Sequence, residues 1–226
     1  KELLSHIIFI IGSGNTSLSL SAWCRPCYHA MSQNITVAVR VRPFIERELE
    51  QNSTCVISMD GQSTTVLLET PKTFTFDFSY WSFNQDEARA AKQEDVQRDI
   101  GDAIIKNSFQ GYNGCLFAYG QTTSGKSYSI IGPQDDPGII PRTIDNLFEG
   151  QKRIEADKNA EIRVYVSFLE IYNERIKDLL APLADVRALS VRDHPKLGVF
   201  IPGLHEEICR EPQDVFERFN FGSKKR

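Results

Sequence analysis

One octapeptide constrains this chain more than any other feature. Gly120-Gln121-Thr122-Thr123-Ser124-Gly125-Lys126-Ser127 fits the pattern G-x-x-x-x-G-K-[ST]. Such a loop works in one setting only. A strand must end where it begins and a helix must start where it ends, with glycines wherever a Cβ atom would collide with phosphate. The sequence supplies that setting, because the apolar run 115–119 reads as a short buried strand leading straight into the glycines. Lys126 is then placed to reach the β- and γ-phosphates, and the Ser127 hydroxyl to ligate magnesium. The competing reading is a Gly/Ser/Thr surface turn with an incidental lysine. It leaves the strand signal ahead of the loop without a reason.

The rest of the chain alternates between two periodicities. Residues 35–41 are β-branched and alternating, which predicts a strand. Residues 55–68 predict a hairpin turning at Asp60-Gly61. Residues 74–78 alternate aromatic and polar, a further strand. Residues 93–109 put Val96, Ile100, Ala103 and Ile104 on one helical face. A Pro/Asp/Gly loop spans 133–138, and a helix over 143–157 turns Ile144, Leu147, Phe148 and Ile154 inward. After it come a strand at 162–169, a short helix at 173–180 before Pro182, two short strands at 189–192 and 199–201 around a loop at 194–198, and a helix from 212 to 221. Strands and helices alternating around one glycine-rich turn predict an α/β fold with a mostly central sheet.

Composition narrows the partners. With 226 residues, 41% of them hydrophobic, the chain has room for one large domain or two small ones and needs no disulfide or metal for its core. A net charge of -4 makes no general case for nucleic acid, although a local basic patch is compatible with it. Five cysteines, odd in number and scattered, suit a reducing compartment. No apolar run reaches the ~18 residues of a membrane span.

The first 30 residues differ from the remainder of the chain. Lys1, Glu2 and Arg25 are their only Asp/Glu/Lys/Arg residues, and 13–21 is linker-like. Met31 reads as a plausible start, so 1–33 is expected to be an extension outside the domain, disordered or not native. Residues 3–11 are apolar enough for a signal-peptide core, but Glu2 stands where positive charge belongs and no small-residue cleavage site comes directly after them. Trp23-Cys24-Arg25-Pro26-Cys27 resembles a thioredoxin redox motif. A linker precedes it where a buried strand should, so it reads as a chance CxxC.

Four stretches taken together resemble the N-terminal part of a kinesin motor domain: NITVAVRVRPF (34–44), GYNGCLFAYGQTTSGKSYSIIG (111–132), GIIPR (138–142) and VSFLEIYNERIKDLL (166–180). Three more features look like the kinesin-3 branch: FTFDFSYWSF (74–83), Ser127 in place of the commoner threonine, and SVRDHPKLGVFIPGL (190–204). The resemblance runs from residue 34 to the end. It implies a P-loop NTPase fold with a kinesin-motor-like central mixed β-sheet flanked by helices, truncated before the switch regions. It implies ATP and Mg2+ as cofactors, the microtubule as partner, and a cytoplasmic, microtubule-associated location.

Carried over residue by residue, the resemblance has Gly120 to Ser127 wrap the phosphates and magnesium. Arg40 and Pro43 line the adenine, and Tyr128 packs on the other side of the base. His194 and Lys196, in the 194–198 loop, match a hairpin that touches tubulin in kinesins; a solvated hairpin tip is the bland alternative. Glu170, Tyr172, Asn173 and Glu174 invite a catalytic reading, but the family places a strand end and a short helix there, so a structural role is expected. Thr123 stands where many kinesins have glycine or serine, and is tolerable if its φ stays negative.

In kinesins two later segments position water and sense the γ-phosphate, one resembling Asn-x-x-Ser-Ser-Arg-Ser-His and the other Asp-Leu-Ala-Gly-x-Glu. Neither string occurs in residues 1–226. Hydrolysis is therefore expected to require segments beyond residue 226, and the isolated chain to be unstable through exposed strand edges. The alternative is a truncated, non-hydrolysing nucleotide- or tubulin-binding module, or a partial gene product without motor activity.

Overall fold

The computed structural model describes residues 4–13, 35–158, 161–182, 187–195 and 198–225, with 4–13 and 157–158 described as backbone. The CxxC motif and Lys196 lie outside the described residues. Residues 4–13, read above as part of an extension, form strand β1 (Leu4–Ser13).

The predicted strand at 35–41 shortens to β2 (Ala38–Val41), which pairs in parallel with β6 (Phe78–Trp81). A single turn, α1 (Glu46–Glu50), follows β2. Between them β3 (Ile57–Asp60), β4 (Ser63–Val66) and β5 (Lys72–Thr75) make an antiparallel meander. Its first turn is the predicted one. Asp60 pairs with Ser63, and Gly61 takes φ 54°, which a two-residue hairpin loop demands and glycine adopts without strain. The single strand expected over 74–78 is split, because the chain changes sheets at Asp77. The Asp77 carboxylate accepts the Val37 amide at 2.7 Å, and its carbonyl accepts the Gln62 side chain at 2.9 Å.

The predicted helix at 93–109 is present as α2 (Gln93–Val96), a π turn (Gln97–Gly101) and α3 (Asp102–Phe109). The wide turn accommodates the buried Gln97 side chain, which folds over Gly101; a Cβ there would lie 2.2 Å from Gln97 Oε1.

Residues 115–119 do not form the expected strand. Their exposure alternates, with Cys115, Phe117 and Tyr119 exposed and Leu116 and Ala118 half-buried. Among the described residues nothing pairs with their backbone. The run signals a buried strand, but three of its five residues are exposed and, among the described residues, its backbone lacks the ladder partner that makes a strand.

The second half is built on one long strand. Helix α4 (Lys126–Ile130) leads through the 133–138 loop to α5 (Ile139–Lys158), and then to β7 (Ile162–Tyr172). β7 pairs antiparallel with β1, from Leu4 opposite Ile171 to Ser13 opposite Ile162. It also pairs with β8 (Arg175–Asp178), and with β11 (Glu207–Cys209). The short helix expected at 173–180 is replaced by this β7–β8 hairpin. Asn173 and Glu174 both take left-handed φ, 47° and 61°, the conformation of a tight two-residue hairpin turn. Leu179 and Leu180 are buried just past β8, where the Asp178 carboxylate accepts the amides of Leu180 and Ala181.

β9 (Arg192–His194) and β10 (Gly198–Phe200) form a separate two-stranded ladder, shifted slightly from the predicted pair. Helix α6 (Pro212–Ser223) packs over β7, with Gly222 so close to Phe168 that a Cβ would sit 2.4 Å from its ring. Ile144, Leu147 and Phe148 of α5, all predicted inward, meet Val164, Val166 and Phe168 of β7 in the main core. A smaller cluster of Tyr80, Val96 and Ile139, joined by Leu116, sits in the other half.

Candidate functional site

The loop from Gly120 to Ser127 folds as its residue types require. Gly120 and Gly125 take φ 152° and 97°, and a Cβ on Gly120 would lie 2.4 Å from Ser124 Oγ. The Ser124 amide closes a turn onto the Gln121 carbonyl at 3.2 Å. Gln121, Thr122 and Thr123 are exposed along the rim. The Lys126 ammonium turns back over the loop and donates to the carbonyls of Gly120 at 2.5 Å and Gln121 at 2.7 Å. It is therefore stationed at the mouth of the loop, on weak neutral acceptors that an anion can outcompete. The Ser127 hydroxyl is exposed beside it. Among the described residues no group of three His, Cys, Asp or Glu side chains is placed to hold a metal. One hydroxyl suits Mg2+, which keeps several waters and takes few protein ligands when phosphate supplies the rest.

Thr123 corrects the sequence expectation. Its φ is +70°, in the left-handed region that disfavours a β-branched side chain. Arg42 holds it there. Arg42 Nε donates to the Thr123 carbonyl at 2.8 Å, while its guanidinium grips Glu48 with two bonds of 2.7 and 2.8 Å. That pairing lowers the Glu48 carboxyl to about 2. Arg42 also donates to the carbonyl of Pro43, which places exposed Pro43 at the same corner. Sequence reasoning singled out Arg40 and Pro43 and passed over Arg42. A signal existed, since Arg40 and Arg42 are two apart at the end of a strand and so leave it on the same face.

Arg40 and Tyr128 are brought together as expected. The Arg40 guanidinium lies 5.2 Å from the Tyr128 ring centroid. It donates to Ser82 Oγ at 2.9 Å, Gln93 Oε1 at 2.7 Å and Ser129 Oγ at 3.2 Å. Burial pulls its pKa below the usual arginine value. Arg40 Nη2 is buried without a partner among the described residues. An orphaned buried donor costs about 1–3 kcal/mol, so a ligand acceptor at this place would be favoured. Gln93 also donates to the Tyr128 carbonyl at 2.7 Å and so bridges the two residues; nothing in the sequence marked it. The Tyr128 hydroxyl donates to Asp136 at 2.7 Å, and burial together with that carboxylate raises its pKa.

The remaining candidates lie elsewhere. His194 is exposed on β9, paired in register with Gly198 across a separate ladder. Glu170 is buried in β7, opposite Lys177 of β8 in the ladder, and Tyr172 is the last residue of the strand. Among the described residues no helix is long and apolar enough to cross a membrane.

A family model described as the kinesin motor domain matches residues 40–226. The rat kinesin-like protein KIF1A is 43% identical over 201 residues, which cover 85% of this chain and 12% of that protein. The human kinesin-like protein KIF1C is 41% identical, over 85% of this chain and 18% of that protein. Among solved structures, a KIF14 motor with ADP in complex with a microtubule has a TM-score of 0.78 at 36% identity, covering 85% of this chain and 55% of that one. A two-heads-bound KIF14 dimer with AMP-PNP on a microtubule has a TM-score of 0.81 at 35% identity, covering 87% of this chain and 55% of that one.

Proposed function

The chain belongs to the kinesin motor domain family, with kinesin-3 members among its relatives, and on that premise we propose that it carries the ATP-binding side of a microtubule motor. It spans less than a fifth of the length of KIF1A or KIF1C and about half of the solved KIF14 motors. Turnover and movement are therefore proposed for the motor as a whole.

In this reading Gly120 to Ser127 hold the triphosphate. Backbone amides face the anion, and Lys126 leaves its two carbonyls for the β- and γ-phosphates. Ser127 would hold Mg2+, which would supply positive charge to offset that of the phosphates. Arg40, Pro43 and Tyr128 line the base, and Arg40 Nη2 gains the acceptor it lacks. The observation that carries this reading is the loop itself, two glycines at left-handed φ with a lysine ammonium waiting on its own mouth. ATP hydrolysis stimulated by microtubules is proposed for the motor, where further groups place the attacking water. The β9–β10 hairpin, with His194 and the Lys196 that comes after it in sequence, is proposed to touch tubulin, and the protein to work on cytoplasmic microtubules.

The test is titration of the chain with MgATP by calorimetry, followed by co-sedimentation with microtubules. Saturable binding that is strongly weakened in Lys126→Ala supports the reading; no binding at millimolar MgATP ends it. Binding without any turnover in the presence of microtubules would favour a nucleotide-holding module.

A further inference from the structure

The 133–138 loop is fastened to the nucleotide side by more bonds than a connector needs. Its ends close on each other, with the Gly138 amide donating to Ile131 O at 2.7 Å. A Cβ at Gly132 would meet the Asp136 carbonyl at 2.4 Å, and one at Gly138 would meet the Ser129 carbonyl at 2.7 Å. Arg142 Nε donates to Pro137 O at 2.8 Å, and Arg142 Nη2 lies 3.5 Å from the Asp136 carboxylate. These bonds hold the loop so that the Asp136 carboxylate meets the Tyr128 hydroxyl at 2.7 Å.

Tyr128 needs this partner. Its carbonyl is held by Gln93 and one ring face is covered by Arg40, yet the residue remains 41% exposed. A half-exposed ring without an anchored hydroxyl is free to change rotamer into solvent. The bond from its hydroxyl to Asp136 Oδ2 reaches it from outside its own helix and from the opposite end of the ring.

We propose that Asp136 is a positioning residue for the base-binding wall: by holding the Tyr128 hydroxyl, it sets how strongly the site favours a nucleotide over a bare polyphosphate. The inference rests on the nucleotide reading above. The phosphate loop makes no bond to Asp136, so the phosphate part of affinity is independent of it, and only the base-dependent part changes.

The experiment measures the affinities of the whole chain for MgATP and for magnesium tripolyphosphate by calorimetry. In the wild type MgATP binds more tightly. Asp136→Ala lowers MgATP affinity about tenfold, the equivalent of one charge-assisted hydrogen bond, and leaves tripolyphosphate unchanged. Asp136→Asn, which keeps an acceptor, retains most of the preference. Tyr128→Phe matches Asp136→Ala, and the double variant is no worse than either single one. The proposal is overturned if Asp136→Ala leaves the ratio of the two affinities unchanged, if it weakens both ligands equally, or if the two variants add. A wild type that binds tripolyphosphate as well as MgATP overturns this proposal and leaves the phosphate site standing. A wild type that binds neither overturns both.

Discussion

The two halves of the molecule are held by different physics. Around β7 the contacts are apolar and layered. Phe148, Val164 and Leu179 are almost wholly buried, and α6 approaches so closely that only glycine fits at position 222. Around the phosphate loop the contacts that matter are polar and reach far along the chain. Arg40 bonds Gln93 across 53 residues, and Arg42 bonds the Thr123 carbonyl across 81. Apolar burial scales with area and tolerates detail, so it supplies a scaffold. Hydrogen bonds depend on angle and can be exchanged for a ligand's, so they supply a site that is shaped yet able to respond. The 115–119 segment shows the cost on the site side. Phe117 and Tyr119 stay 58% and 79% exposed while their backbone has no ladder among the described residues.

That contrast can be broken at several points. The largest effect is expected in the core. Phe148→Ala should lower unfolding free energy by about 3–5 kcal/mol in denaturant melts, with nucleotide affinity of the folded fraction unchanged. A cost below about 1 kcal/mol would mean that β7 is not the scaffold. Next is Lys126→Ala, which should weaken MgATP binding by about 2–3 kcal/mol, seen by calorimetry, and move the melting temperature little. If melting drops as it does for Phe148→Ala, the loop is a structural element. Arg42→Ala should lower stability only slightly, because its pair with Glu48 is screened by solvent. It should also weaken tripolyphosphate and MgATP alike, in contrast to the Asp136 variants.

Smaller still is Thr123→Gly. Removing a β-branched residue from φ +70° should stabilise the chain by up to about 1 kcal/mol, partly offset by the entropy of glycine. A loss of stability would show that the threonine side chain makes a favourable contact besides bearing strain. The finest test is of pH. Glu48 titrates at about 2 where a free glutamate stands at 4.5, through its bonds to Arg42 first and to the Ile45 amide second. A depressed carboxylate contributes stability that is fully present above pH 4.5 and is lost as pH falls through about 2. NMR of the Glu48 carboxyl should show no titration near its ordinary value. A midpoint there would mean that the grip on Arg42 is absent in solution.

Much of this protein was legible without coordinates. The glycine-rich loop, the Asp60-Gly61 turn, the 93–109 and 143–157 helices and most of their inward faces are written in short-range patterns; Ala103, expected inward, is exposed just past the π turn. Each depends on residues within a turn or two of each other, and on glycines whose φ few other residues can adopt. The resemblance to kinesins likewise rested on contiguous strings. The errors have one origin. The run at 115–119 looked like a buried strand because an unbroken apolar run ahead of glycines is a local signal, whereas strand pairing is not. The stretch at 173–180, read as a short helix before Pro182, is a hairpin. The two left-handed residues that turn it into a hairpin are Asn173, which adopts that conformation readily, and Glu174, which rarely does.

By itself, then, the sequence determined where the glycine-rich loop lies, most of the helical positions that turn inward and to which family the chain belongs. Only the tertiary structure decided that Arg42 reaches Thr123, that Gln93 joins Arg40 to Tyr128, and that Asp136 holds the Tyr128 hydroxyl. The physical reason is range. Propensity and periodicity act over a few bonds, while a hydrogen bond between residues tens of positions apart exists only once packing has set both ends within about 3 Å and in line.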